Sequence, residues 1–152
     1  PYVNIEGAYA VAMDSPITSM SDVDRSGIRI VVGRNSAYDL FLTRAIKAAT
    51  LVRTQTSQSV VPLLFSEKLE VAANVRQQLE ADALKNPGRL RLLPGNFMII
   101  HQAMGLAGGR DAKGLAYLTA FVEEMKASGF VQAALQRHGI EGASVAPAGA
   151  AR

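Results

Sequence analysis

Ser36-Ala37-Tyr38-Asp39 is the stretch of this chain best suited to hold a small charged group. It follows an apolar run, Ile28-Arg29-Ile30-Val31-Val32, and a Gly-Arg-Asn turn, and it opens a helical pattern over 40–46. Ser36 is placed to cap that helix and Asp39 to reach back toward the cap, a capping box with Asp as the acid. A strand that turns sharply into a capped helix leaves backbone N–H groups pointing out of the helix end, where α/β proteins hold carboxylates and phosphates. The plainer alternative is a well-capped helix that binds nothing.

Asn74 is the second residue of interest, because it ends a short apolar run, Val71-Ala72-Ala73. In an open α/β sheet ligands sit beyond the carboxyl ends of the strands. Asn35, Ser36, Tyr38 and Asn74 are therefore expected to converge on one crevice. They form a hydrogen-bonding set rather than a catalytic one, suited to a small polar solute. For Asn74 an equal alternative is to cap a helix beginning at Val75.

Other candidates carry less. His101 and His138 are the two histidines, and with no cysteine in the chain and no His-x-x-His spacing, a metal site is not expected. No Gly-x-Ser-x-Gly elbow supports a serine nucleophile. Gly105-Leu106-Ala107-Gly108-Gly109-Arg110 lacks the Gly-Lys-Ser/Thr ending of a phosphate loop and reads as a turn. Glu123, Glu124 and Lys126 fall on the polar side of an amphipathic pattern, where charges ordinarily face water.

The elements that must position these residues follow from patterning. The apolar share of 49% and charged share of 19% are those of a globular chain, and 152 residues suffice for one ordinary domain with a sizeable core. The basic residues Arg29, Arg34, Arg44, Lys47 and Arg53 lack interleaved aromatics, so nucleic acid is not an expected partner. No apolar run approaches the roughly 20 residues needed to span a bilayer. Strands are expected at 5–13, 28–32, 51–53, 71–73, 90–93 and 97–103, with a short helical turn over 19–25. Helices are expected at 37–49, 58–68 with Pro62 in the first turn, and 75–85, then at 111–127 and 130–138. This strand–helix alternation predicts an α/β class: an open, mainly parallel sheet with helices on both faces. Residues 141–152 are rich in Ala, Gly and Pro and read as a flexible tail.

The order of motifs resembles the family 3 extracellular solute-binding proteins of ABC importers. The opening Pro1-Tyr2-Val3-Asn4-Ile5-Glu6-Gly7-Ala8-Tyr9-Ala10-Val11 is similar to that family's "Pro-Tyr … Gly … Val" segment. Ser21-Asp22-Val23-Asp24, Gly27-Ile28-Arg29-Ile30-Val31-Val32 and Asn35-Ser36-Ala37-Tyr38-Asp39 resemble its entry into the second lobe. Leu69-Glu70-Val71-Ala72-Ala73-Asn74 resembles its "Val-Asp-Ala … Asp" strand, and residues 121–140 its closing helix pair.

The resemblance implies one lobe of a periplasmic-binding-protein type II fold plus C-terminal helices. It divides the chain into a lead-in and hinge strand (1–14), a second α/β lobe (15–97), a return hinge strand (98–104), helices of the first lobe (105–140) and the tail (141–152). It implies a periplasmic location and capture of an amino acid or other small carboxylate by hinge closure, with delivery to ABC-importer membrane subunits and with neither catalysis nor a cofactor. The ligand-binding positions it implies are Asn35, Ser36, Ala37, Tyr38 and Asn74.

Two departures accompany the resemblance. Most of the first lobe is expected to be missing, together with its clamping Arg, so the apolar stripe of the C-terminal helices calls for a cover: a second copy of the chain, or the absent lobe. A neutral Asn74 also stands near where the family's amino-acid binders carry an Asp that pairs the solute's ammonium. The same resemblance extends to a periplasmic cyclohexadienyl dehydratase and to ligand-sensing input domains of receptors and transcription regulators.

Overall fold

The computed structural model describes residues 1–109 and 111–149. In chain order the elements are β1 (Val3–Ala12), β2 (Arg29–Gly33), α1 (Ala37–Ala45), β3 (Thr50–Thr54), α2 (Val60–Ser66), β4 (Val71–Val75), α3 (Arg76–Lys85), β5 (Leu90–Leu92), β6 (Met98–Gln102), α4 (Ala112–Ala127), α5 (Phe130–Arg137) and β7 (Ala143–Val145). Two compact units emerge: Glu6–Ile99, and Pro1–Ile5 joined by the chain from Ile100 onward.

The larger unit is built on β2. Ile30, Val31 and Val32 are fully buried, and alternate side chains serve opposite faces of the sheet. On one face Tyr9, Val11, Ile30, Val32, Val71 and Ala73 pack with Tyr38 and Leu42 of α1. On the other, Ala8, Ala10, Val31 and Ala72 pack with Val60, Val61 and Leu64 of α2 and Leu79 of α3. Leu42, Leu64 and Leu79 are each almost wholly buried, which contributes about 2–3 kcal/mol per side chain. Helices thus cover both faces, as the alternation of elements predicts.

Five strands run in the order β3-β2-β4-β1-β5. β2 is parallel to β3 and β4, whereas β1 is antiparallel to β4 and β5. The expected parallel character is therefore confined to β3-β2-β4, and the sheet as a whole is mixed. β1 enters between β4 and β5 and runs against both, so the β4-α3-β5 crossover brackets it, a split β-α-β arrangement.

Local boundaries differ from expectation where side chains capture the backbone. α1 ends at Ala45, not Ala49, because Ile46 turns to an extended conformation (ψ 135°). The Asp24 carboxylate then accepts the amides of Lys47, Ala48 and Ala49 at 2.9, 2.8 and 2.9 Å. Those three amide bonds hold the Asp24 carboxyl below its usual pKa. A 3₁₀ turn, Ser57–Ser59, precedes α2, and Pro62 sits in the helix's first turn as expected.

In the smaller unit the tail reading is corrected. Ala143–Val145 forms β7, paired antiparallel with Val3, Asn4 and Ile5 of β1, and Ala146 is buried with its N–H on the Tyr2 carbonyl at 3.0 Å. The reading of Glu123 and Lys126 as water-facing is corrected as well. The Lys126 side chain is 5% exposed, and its Nζ donates to Glu123 at 2.7 Å and to the Pro147 carbonyl at 2.8 Å. Glu123 in turn accepts the Gly149 N–H at 3.0 Å. A buried ammonium needs acceptors, and the returning chain supplies them. Arg110 of the glycine-rich turn and residues 150–152 of the expected tail lie outside the described residues. α4 and α5 meet at Gly129, whose φ of 78° suits a residue without Cβ. Leu115, Tyr117 and Phe130 remain well exposed on this helix pair.

Candidate functional site

Three loops of the larger unit meet at the carboxyl ends of β2, β3 and β4. The first is the turn Gly33-Arg34-Asn35-Ser36 into α1. It is tight: Ser36 N–H donates to the Gly33 carbonyl at 3.2 Å, and Arg34 N–H prolongs the β2–β3 ladder onto the Thr54 carbonyl at 2.9 Å. Asn35 takes a φ of 61°, the left-handed region that Asn tolerates better than most residues.

Ser36 caps α1, its Oγ accepting the Asp39 N–H at 3.0 Å. The Asp39 carboxylate reaches one residue beyond the cap, to the Asn35 N–H at 2.9 Å. The amides of Ala37 and Tyr38 are left without intrahelical acceptors, at the positive end of the helix dipole. A carboxylate as near as Asp39 opposes an incoming anion, and its charge is met here. Arg53 of β3 donates from Nε to Asp39 Oδ1 at 2.9 Å and from Nη2 to Thr43 Oγ1 at 2.8 Å. The Asp39 side chain is 4% exposed.

The second and third loops are joined through Ser57, which the sequence reading missed. Ser57 Oγ and the Tyr38 hydroxyl lie 2.6 Å apart, and the Ser57 carbonyl accepts from Asn74 Nδ2 at 2.8 Å. Gly33 lies against this brace: a Cβ there would stand 2.8 Å from the Tyr38 hydroxyl and 3.0 Å from Ser57 Oγ. The run Thr54-Gln55-Thr56-Ser57-Gln58-Ser59, dense in hydroxyls after β3, is the signal that marks this loop.

The structure thus brings Tyr38 and Asn74 together on Ser57 and sets Asn35 and Ser36 in the adjoining turn, with Ala37 first in α1. Tyr38 is buried within the core on the α1 side of the sheet. Asn74 is fully buried, and its Oδ1 accepts the Val75 N–H at 2.8 Å. The helix-cap alternative for Asn74 is corrected, since Val75 occupies the cap position of α3 and Asn74 lies inside β4. Arg76, first in α3, donates to Glu6 at 2.6 Å and to the Gly95 carbonyl at 2.7 Å.

Elsewhere in the larger unit, a groove of about 470 Å³ lined by Ala12, Met13, Asp14, Phe65, Gly88 and Arg89 lies near the opposite end of the sheet, with Arg89 stacked over Phe65 at 4.4 Å. It shares no residue with the strand-end loops. In the smaller unit, His101 Nδ1 lies 2.7 Å from Asn4 Oδ1, and His138 closes α5.

No protein-family model matches the chain, and no curated protein matches it by sequence. Solved structures do. A binding component assigned to an ABC transporter of Wolinella succinogenes, complexed with lysine, superposes with a TM-score of 0.76 at 18% identity, over 90% of this chain and 60% of its own. The solute receptor for L-cysteine of Neisseria gonorrhoeae gives 0.68 at 19% identity, over 90% and 55%. An ancestral amino acid-binding protein, a precursor of cyclohexadienyl dehydratase, gives 0.71 at 14% identity, over 90% and 59%. The chain therefore has the periplasmic-binding-protein type II fold and spans somewhat more than half the length of these neighbours.

Proposed function

We propose that the strand-end face of the larger unit binds the carboxylate of a small polar solute, an amino acid or another short acid, and that the chain belongs to the solute-capturing component of an ABC importer of the family 3 type, working in the periplasm. The observation that carries this reading is the start of α1. Two amides without intrahelical acceptors stand at the helix start, beside an acid already neutralised by Arg53, on the fold that amino-acid-binding proteins share. In this reading Ala37 and Tyr38 offer backbone N–H groups, and Asn35 and Ser36 shape the turn that presents them. Tyr38 and Asn74 act through Ser57, holding the loops in register rather than touching the solute with their side chains.

The chain passes between its two units twice, at Ile5–Glu6 within β1 and at Ile99–Ile100 within β6. We read these passages as the hinge strands of an importer component, which a bound solute biases toward a closed state. We also read the protein as a binder and not a catalyst, because Asp39, the acid nearest the proposed solute position, is committed to Arg53 and to the Asn35 amide.

Calorimetric titration of the chain with single amino acids and short mono- and dicarboxylates tests the reading. Saturable binding of at least one carboxylate, with a dissociation constant near or below about 1 mM, is the expected result. A folded chain that binds none of them removes it.

A further inference from the structure

The charges around the strand ends distinguish one class of solute. Among the described residues three arginines stand there: Arg34 directly after β2, Arg53 in β3 and Arg76 directly after β4. Two are committed. Arg53 is held by Asp39 and Thr43, and Arg76 by Glu6 and Gly95, with Glu80 at 4.0 Å. The carboxylates Glu6, Asp39 and Glu80 are thus each engaged by an arginine. Arg34 is exposed, and its guanidinium makes no ion pair with a described residue. Its backbone is nevertheless fixed, by the Thr54 carbonyl on one side and the left-handed Asn35 on the other. The cation is therefore tethered three residues before the Ala37 amide.

An ammonium at this face finds little to bind. Asn74 is neutral, buried and hydrogen-bonded at both ends of its amide. Asp39 already accepts from Asn35 and Arg53. A second carboxylate, by contrast, finds a cation with all its donors open, and charge-assisted hydrogen bonds to guanidinium are among the stronger polar contacts.

Resting on the binding reading above, we infer that Arg34 is a specificity-determining residue and that the preferred solutes carry two carboxylates: short dicarboxylates and acidic amino acids, in preference to cationic amino acids. Lysine, bound by one structural neighbour, belongs to the disfavoured class.

The test is amide-resolved NMR titration of the ¹⁵N-labelled chain with glutarate, acetate and lysine at constant ionic strength. Glutarate is expected to shift the Ala37 and Tyr38 amides at lower concentration than lysine. Arg34→Gln should weaken glutarate about tenfold, the scale of one hydrogen bond to a charged group, with a much smaller effect on acetate. Arg44→Gln, at the far end of α1 and equal in charge, should change neither, which separates a local contact from net charge. If lysine shifts those two amides as readily as glutarate, or if Arg34→Gln leaves glutarate unchanged, the inference fails while the site stands. If no solute moves either amide, the binding reading fails and this inference with it.

Discussion

Ala37→Pro is the sharpest perturbation of the proposed site, because it deletes one backbone donor and almost nothing else. Ala37 is the first residue of α1, the position at which proline is over-represented, since its missing N–H has no intrahelical partner and its fixed φ suits the helix. A residue preceding proline must be extended, and Ser36 already is, at φ −71° and ψ 160°. The Ala37 side chain is exposed, so the ring meets solvent. Folding stability is therefore expected to hold or to rise by up to about 1 kcal/mol through the restricted unfolded chain. Binding should suffer. A hydrogen bond to a charged acceptor contributes about 1.5–3 kcal/mol, roughly a tenfold to hundredfold change in dissociation constant. Calorimetry of wild-type and variant chains with the tightest-binding carboxylate, paired with thermal unfolding, reads both quantities. Equal affinities at equal stability would show that the Ala37 amide holds no solute, and the assignment of the helix start would be abandoned.

Three further outcomes are expected. Gly33→Ala places a methyl 2.8 Å from the Tyr38 hydroxyl and 3.1 Å from the Ser57 Cα, and urea titration should show a loss of about 1–3 kcal/mol; an unchanged midpoint would mean that the loops yield freely. Arg29 donates to Glu70 from its backbone amide, Nε and Nη2, and the side-chain bond leads in lowering the Glu70 pKa below the usual 4.5. A depressed carboxylate adds stability that is complete above its unfolded pKa and lost as pH falls through the folded value. The wild-type unfolding temperature should therefore drop more steeply below about pH 4.5 than that of Glu70→Gln, and parallel curves would remove Glu70 from the acid response. Lys126→Ala removes the ammonium that ties the Pro147 carbonyl and Glu123; hydrogen exchange at Ala146 and Gly149 should accelerate relative to the β2 amides, and unchanged protection would show that β7 pairing alone holds this segment.

Legibility in the sequence tracked the range of the interaction. The Ser36 cap, the first-turn position of Pro62 and the start of β4 at Val71 rest on neighbours within a few residues, and these were readable. The length of α1 was not, because Asp24, more than twenty residues away, takes the amides that would have continued it. Ser57 was not, because a serine in a hydroxyl-rich loop acquires its role only when Tyr38 and Asn74 arrive beside it. Asn74 offered two readings from its place after an apolar run; its position inside β4, with Val75 at the cap of α3, excluded the cap, and the Ser57 carbonyl gave the side chain a bracing contact that neither reading contained.

By itself the sequence determined the α/β class, since apolar runs of strand length alternate with helix-period segments, and burial follows that periodicity wherever the chain packs. It also determined that a capped helix start follows β2, because a cap is a contact between residues three apart. Only the tertiary structure decided the direction of β1, since a strand buried on both faces reads the same whether its neighbours run parallel or against it. It decided the fate of residues 141–149 as well, because Ala, Gly and Pro carry no period of their own, and pairing to Val3–Ile5 with the buried Lys126 supplies what composition lacked. And it decided which arginine near the proposed site is uncommitted: charge is written in the sequence, but whether a charge is already satisfied depends on distances that only folding sets.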